Sequence, residues 1–343
     1  VNTAVIDRRG LLAGGLALAG TAAWTRAAEP VATLRRLSPG LDRIIAPDAR
    51  IDVIARGIRW AEGPVWVPAG DYLLFSDPPA NLVRRWDRRT GRTTPFLSPS
   101  GAGDADPKLV REPGANGLAL DHRGRLLIAN SGGRSIDRLD LKTRRRELVV
   151  DRYQGKRFNS PNDLHVARNG AIYFTDPPYG LADADHSPLR ETAVNGVYRW
   201  SPDGRVELID ATLTRPNGIA LSPDERRLYV SVSDEAAPRI MAYDLDVAGR
   251  PTAGRVWLDA KSMQAGGAPG LPDGMKVARD GTMVCSVPGG MMLLTPATEP
   301  LGLIATGAPI ANAAFGEGGR ALFLTANDRV LRVPLKAGWQ GQG

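Results

Sequence analysis

Six polar residues recur along this chain, each standing just before a short apolar run: Glu62, Asn116, Asn162, Asn217, Asp273 and Asn312. Two carboxylates and four side-chain amides converging on one point need a positive partner. Hard oxygen donors of this mixed kind suit one divalent cation, Ca²⁺ first, with Mg²⁺ or Mn²⁺ as alternatives. Zn²⁺ ranks last, because it prefers imidazole and thiolate and the chain has 3 His and 1 Cys, none clustered. His122 reads as a turn residue and His165 as a strand residue, and a structural role fits each better than metal ligation. An Asn-Gly or Asp-Gly pair can also simply begin a turn. That explains any single copy, but not Glu62-Gly63-Pro64, nor the proline directly before the polar residue at Pro161, Pro216 and Pro272. A stiffened backbone at those places suggests a side chain being aimed.

The elements that must position these residues are strands. Each polar residue opens a unit of two apolar stretches separated by a turn, as in Asn116-Gly117-Leu118-Ala119-Leu120 followed by Arg125-Leu126-Leu127-Ile128-Ala129-Asn130. The units recur every 40 to 55 residues or so, the size of a propeller blade. Their internal turns, such as Arg168-Asn169-Gly170 and Arg279-Asp280-Gly281, are Gly-closed hairpin connections. A third strand often follows, as in Gly196-Val197-Tyr198-Arg199-Trp200, and helical periodicity is almost absent. The expected fold is all-β, a six-bladed β-propeller whose sixth unit, from Asn312, is worn. The segment Ile51-Asp52-Val53-Ile54 is expected to complete that last blade and close the ring. A pair of packed sheets would leave the number of units unexplained.

Composition agrees. The chain has 343 residues, 43% hydrophobic and 24% charged, enough for a large core, and its 39 Gly and 27 Pro suit many tight turns. The net charge of +7 includes the run Lys142-Thr143-Arg144-Arg145-Arg146. No aromatic residues interleave it, so it reads as an outer blade turn and not as a nucleic-acid surface. Cys285 has no intrachain partner and sits in a strand-like stretch, as a buried structural thiol would. Near the start, Arg8-Arg9 precede an apolar run over 11–23 and the small residues Ala27 and Ala28. This pattern predicts a twin-arginine signal peptide over 1–28 and a single propeller over 29–343, in a periplasmic or secreted protein. No later stretch is apolar enough for an integral membrane segment. Oligomeric state leaves no mark in the sequence.

The chain resembles the family of gluconolactonases, regucalcin (senescence marker protein) and luciferin-regenerating enzyme over about residues 50 to 335. The matching motifs are Ala61-Glu62-Gly63-Pro64-Val65-Trp66, Asn159-Ser160-Pro161-Asn162-Asp163, Phe174-Thr175-Asp176-Pro177-Pro178-Tyr179-Gly180, Arg215-Pro216-Asn217-Gly218 and Pro272-Asp273-Gly274-Met275. The resemblance implies a six-bladed propeller, a divalent cation on Glu62, Asn162, Asn217 and Asp273, and hydrolysis of a small sugar-type lactone. Regucalcin-like members use the position of Asn162 nearer the substrate. Many bacterial members carry a His-Gly pair where this chain has Ser131-Gly132. In such a reaction Asp273 is the first choice for the base that activates water and Asp163 the second. Asn116 would hydrogen-bond substrate or the developing oxyanion, and Tyr179 would shape the pocket wall; Trp66 fits core packing better. Related alternatives are an aryl-ester or phosphotriester hydrolase using the same cation chemistry, or a non-catalytic binding platform. A strictosidine-synthase-like condensing enzyme fits less well.

Overall fold

The computed structural model describes residues 32–101 and 105–339. The expected signal peptide over 1–28, and with it the 28/29 boundary, lies outside the described residues.

Alternating short apolar stretches and Gly-closed turns produce, among the described residues, six antiparallel blade sheets in succession and one two-stranded ribbon, Arg152–Tyr153 with Lys156–Arg157. Blade 1 comprises Glu62–Val67, Tyr72–Asp77, Leu82–Asp87 and Thr93–Leu97; blade 2, Ala115–Leu120, Leu126–Asn130, Ser135–Leu139 and Arg146–Val150. Blade 3 comprises Leu164–Val166, Ile172–Asp176, Gly196–Trp200 and Val206–Asp210; blade 4, Pro216–Leu221, Arg227–Val232, Arg239–Leu245 and Pro251–Asp259. Blade 5 holds Met275–Val277, Met283–Val287, Gly290–Leu294 and Pro300–Ala305; blade 6, Asn312–Gly316, Ala321–Ala326 and Arg329–Pro334. Each blade's first strand packs against the first strand of the next, and that of blade 6 returns to that of blade 1, so the sheets form a closed ring around a channel.

The ring is locked as the sequence predicts. Asp52–Arg56 pairs with Arg329–Pro334 and supplies the outer strand of blade 6, which makes the worn sixth unit a complete blade. Phe323 of blade 6 is fully buried and stacks on Trp66 of blade 1 at 5.4 Å between ring centres, with Trp86 at 5.7 Å. Trp66 is therefore a core residue. One strand was not anticipated: Thr33–Arg36 adds a fifth strand to blade 5 by pairing with Pro300–Ala305. Its side chains are mostly exposed, so it carries little of the alternation that betrays a strand.

The basic run forms the expected outer turn, capped by Asp140, whose carboxylate accepts from Lys142 N and Thr143 N. Arg144 lies 3.7 Å over the Phe96 ring of the neighbouring blade. Cys285 is fully buried, and burial pushes its thiol up to about 12. Among the described residues no helix is long and apolar enough to cross a membrane.

Candidate active site

At one end of the channel lies a cavity of ≈ 280 Å³. Glu62, Asn116, Asn162, Asn217 and Asp273, from the entrances of five successive inner strands, line it, together with Tyr179. Trp60, Arg111, Glu112 and Ser233 complete its polar wall, and Leu271, Pro309 and Ile310 form an apolar side. A second cavity opens among residues further along the same inner strands, including Trp66, His165 and Lys276. It therefore belongs to the opposite end of the channel.

Two of the carboxyls that line the first cavity, Glu62 and Asp273, are electrostatically uncomfortable. Burial pushes Glu62 up to about 8, against the hydrogen bond its Oε2 accepts from Gly63 N at 2.9 Å, and Asp163 and Glu112 add to the rise. Asp273 is raised well above the usual carboxylate range, first by burial and then by the negative charges of Glu62 and Asp163. Its Oδ1 is enclosed and has no hydrogen-bond partner among the described residues. Buried like charges and an orphaned carboxylate oxygen mark a place for a cation. The amides fit the same reading. Asn217 Nδ2 donates to Ser233 Oγ at 2.9 Å, which leaves the amide oxygen as its free atom. Asn162 is buried, and no side-chain hydrogen bond ties its amide to the described residues. No group of three or more His, Cys, Asp or Glu suited to a metal occurs among the described residues. The donor set is thus two carboxylates and amide oxygens, as a hard cation prefers.

Asp163 and Asn312 do not reach this cavity. One residue beyond Asn162, the Asp163 side chain spans the channel: its Oδ2 accepts from Asn312 Nδ2 at 3.3 Å, and its Oδ1 accepts from Leu164 N at 2.9 Å. Asn312 Oδ1 in turn accepts from Lys276 Nζ at 3.1 Å. These three side chains form a polar layer between the cavities, which leaves Asp273 and not Asp163 on the wall where a substrate would lie. Ser131, at the position of the expected His, is also off the wall; its Oγ donates to Pro161 O at 2.9 Å.

That contact belongs to a repeated positioning device. A hydroxyl at or just beyond the end of a blade's second strand donates to a backbone carbonyl of the next blade's site segment. Ser76 bonds Asn116 O at 2.7 Å, Thr175 bonds Asn217 O at 2.6 Å, Ser233 bonds Pro272 O at 2.5 Å and Ser286 bonds Ile310 O. Carboxylates act alongside: Asp77 accepts from Arg59 N and Trp60 N, and Asp176 from Asn159 N and Ser160 N, just before Glu62 and Asn162. The glycines that follow the polar residues serve close approach. A Cβ on Gly218 would lie 2.3 Å from Asp273 O, and one on Gly274 would lie 2.1 Å from Asn312 Cγ. So the Asn-Gly and Asp-Gly pairs are not turns here; they let neighbouring inner strands press together at the axis.

Arg111 and Glu112 reach the wall by another route. The connection from blade 1 to blade 2 folds onto blade 3, where both Arg111 N and Glu112 N donate to Gly180 O, at 2.8 and 3.2 Å. Val110 bridges to Leu181 beside them. The hydroxyls were legible as the recurrent Ser or Thr closing each second strand, whereas nothing periodic announces Arg111-Glu112.

The family described as SMP-30/Gluconolactonase/LRE-like region matches residues 60–328. A gluconolactonase of Zymomonas mobilis is 49% identical over 310 residues, covering 89% of this chain and 87% of the relative. The solved structure of a gluconolactonase of Xanthomonas campestris superposes with a TM-score of 0.76 at 32% identity, over 89% of this chain and 95% of that one. A diisopropyl-fluorophosphatase of Loligo vulgaris is 25% identical over 229 residues, covering 64% of this chain and 70% of the relative. Since the match runs unbroken from before Glu62 to beyond Asn312, across every inner strand of the ring, this chain belongs to the SMP-30/gluconolactonase/LRE-like family.

Proposed function

We propose that this protein is a lactonase that opens a sugar-type lactone in the cavity at the channel end, working with one divalent cation, Ca²⁺ before Mg²⁺, Mn²⁺ or Zn²⁺. The observation that carries the reading is the enclosed Oδ1 of Asp273, unpartnered among the described residues, in a cavity it shares with Glu62, Asn116, Asn162 and Asn217. The gluconolactonases of Zymomonas mobilis and Xanthomonas campestris support the substrate class. Glu62, Asn162, Asn217 and Asp273 would hold the cation. When bound, it supplies Lewis-acid polarisation of a carbonyl and a lowered pKa for water.

The remaining work falls to the chain. Asp273 takes the proton of the attacking water, a task for a carboxylate on the wall. The Tyr179 hydroxyl is enclosed beside Ser233 without a well-aligned hydrogen bond among the described residues, and burial pushes its pKa up, so it stays a donor. It and the Asn116 amide hydrogen-bond the substrate hydroxyls or the oxyanion. A buried donor left unmade costs about 1–3 kcal/mol, which a polyhydroxylated ligand recovers.

Chelator-stripped protein should release protons from D-glucono-1,5-lactone only after Ca²⁺ or another divalent cation is restored. Asp273→Ala should abolish turnover and keep the melting transition; full activity in that variant would sink the scheme. A phosphotriester or aryl-ester hydrolase is the second reading, favoured by the Loligo vulgaris relative. A panel of lactones, aryl esters and phosphotriesters separates the two, and failure on all of them favours a binding platform. We infer export from Arg8-Arg9 and the apolar run that follows; finding the expressed protein in the cytoplasm with its N-terminus uncleaved would oppose it.

A further inference from the structure

One carboxyl on the cavity wall has no task in this scheme. Glu112 lines the cavity with Asp273, Asn116 and Tyr179, and its side chain is only 16% exposed. Its backbone is pinned to Gly180 O, so the carboxyl is delivered by a docked segment and not by a free loop. Among the described residues its one cationic neighbour is Arg111 of the same segment, whose Nη2 stands 3.5 Å from Oε1, too long for a strong pair. The other ionisable groups that feel it are Glu62 from blade 1, Tyr179 from blade 3 and Asp273 from blade 5.

We propose that Glu112 is the general acid of ring opening: it protonates the alkoxide oxygen that leaves when the acyl C–O bond of the lactone breaks. The proposal rests on the lactonase reading. Water adds to the carbonyl carbon and gives a proton to the Asp273 carboxylate. The C–O bond then breaks, its electron pair stays on the ring oxygen, and the Glu112 carboxyl proton goes to that oxygen. The product is a hydroxy acid, and solvent returns a proton from Asp273 to Glu112, so the enzyme ends as it began.

Tyr179 is a poorer acid for this step. Burial pushes the Tyr179 hydroxyl away from acidity. Burial holds the Glu112 carboxyl up at about 7, with Arg111 opposing, so it carries a proton at and below neutrality. An alkoxide from a sugar hydroxyl is a strongly basic leaving group that needs this proton; a phenoxide does not.

That difference supplies the test. Wild type, Glu112→Gln and Glu112→Asp would be assayed with Ca²⁺ on D-glucono-1,5-lactone and on dihydrocoumarin, a lactone with a phenoxide leaving group. General acid catalysis is worth roughly 10²–10⁴-fold. Glu112→Gln should therefore lose at least about 100-fold in kcat on gluconolactone and less than about fivefold on dihydrocoumarin. Glu112→Asp, which keeps the acid but shortens it, should lose less than Gln on gluconolactone. Equal losses on both substrates, or none on gluconolactone, overturn the proposal while leaving the lactonase reading intact. A wild type inactive on both lactones overturns both. Should Glu112→Gln not fold, the Asp variant decides alone by the same substrate contrast. Should wild type ignore dihydrocoumarin, the pH profile on gluconolactone decides: wild-type kcat should fall as pH rises through about 7, and the Gln variant should show no such fall. The same fall in both overturns the assignment.

Discussion

Gly218→Ala tests whether close approach of the inner strands sets the site. The added Cβ would lie 2.3 Å from Asp273 O and 2.6 Å from Gly274 Cα, where ordinary contacts begin at 3.4 Å. Both obstacles are backbone, so no rotamer change relieves them. Clearing Asp273 O alone requires the inner strands of blades 4 and 5 to part by about 1.1 Å. Overpacking of this kind costs typically about 1–3 kcal/mol, which a domain stable by about 5–15 kcal/mol survives. The displacement falls on Asp273 itself, and a ~1 Å misplacement of a reacting group costs on the order of 100-fold in rate. The expected result is a folded protein, melting several degrees lower, with kcat/KM on gluconolactone down about 100-fold. Gly91→Ala is the control. There the Cβ meets nothing within 4 Å and only the φ of +67° is strained, so about 1 kcal/mol of stability should be lost with turnover unchanged. Wild-type turnover in folded Gly218→Ala would refute the claim that inner-strand spacing positions Asp273.

Ser233→Ala removes both the acceptor of Asn217 Nδ2 and the donor to Pro272 O. Leaving such groups unpaired costs about 1–3 kcal/mol, so calorimetric titration should show Ca²⁺ affinity weaker by roughly tenfold, and unchanged affinity would deny Ser233 its positioning role. His165 has its pKa pushed down to about 4, by burial first and by Lys276 second. A folded-state pKa below the unfolded value near 6.5 means stability is complete above pH 6.5 and drains away as pH falls through 4. The loss has a ceiling of about 3 kcal/mol, less for a residue that is only partly buried. Urea unfolding of His165→Gln across this window should therefore show a flatter acid limb than wild type. Phe323→Ala empties the stack between blades 6 and 1 and should cost about 3–5 kcal/mol in urea unfolding, with activity per folded molecule retained.

The sequence by itself determined the ring and most of its inner face. A polar residue, an apolar run and a Gly-closed turn are local features, and their recurrence fixes strand, blade and blade number before any long-range contact is known. Because each of these residues stands at or next to the start of an inner strand, the same recurrence named Glu62, Asn116, Asn162, Asn217 and Asp273. Ile51-Asp52-Val53-Ile54 was legible as the closing strand because a ring left open would expose an edge. Tertiary structure alone decided the rest. Asn162 and Asp163 are neighbours in a favourable motif, yet only the cross-channel bond to Asn312, 149 positions away, turns Asp163 out of the cavity. Asn312 opens the worn sixth unit at the repeat position, but its amide is spent on Asp163, Lys276 and Ala313 N. Ser131 replaces a histidine expected at the wall and instead holds Pro161. Arg111 and Glu112 lie in an aperiodic connection and reach the wall only because their backbone N–H groups find Gly180 O, on a blade the chain has not yet formed when it passes them. Period reveals which residues repeat; which of them face a substrate depends on the side chain that arrives from across the ring.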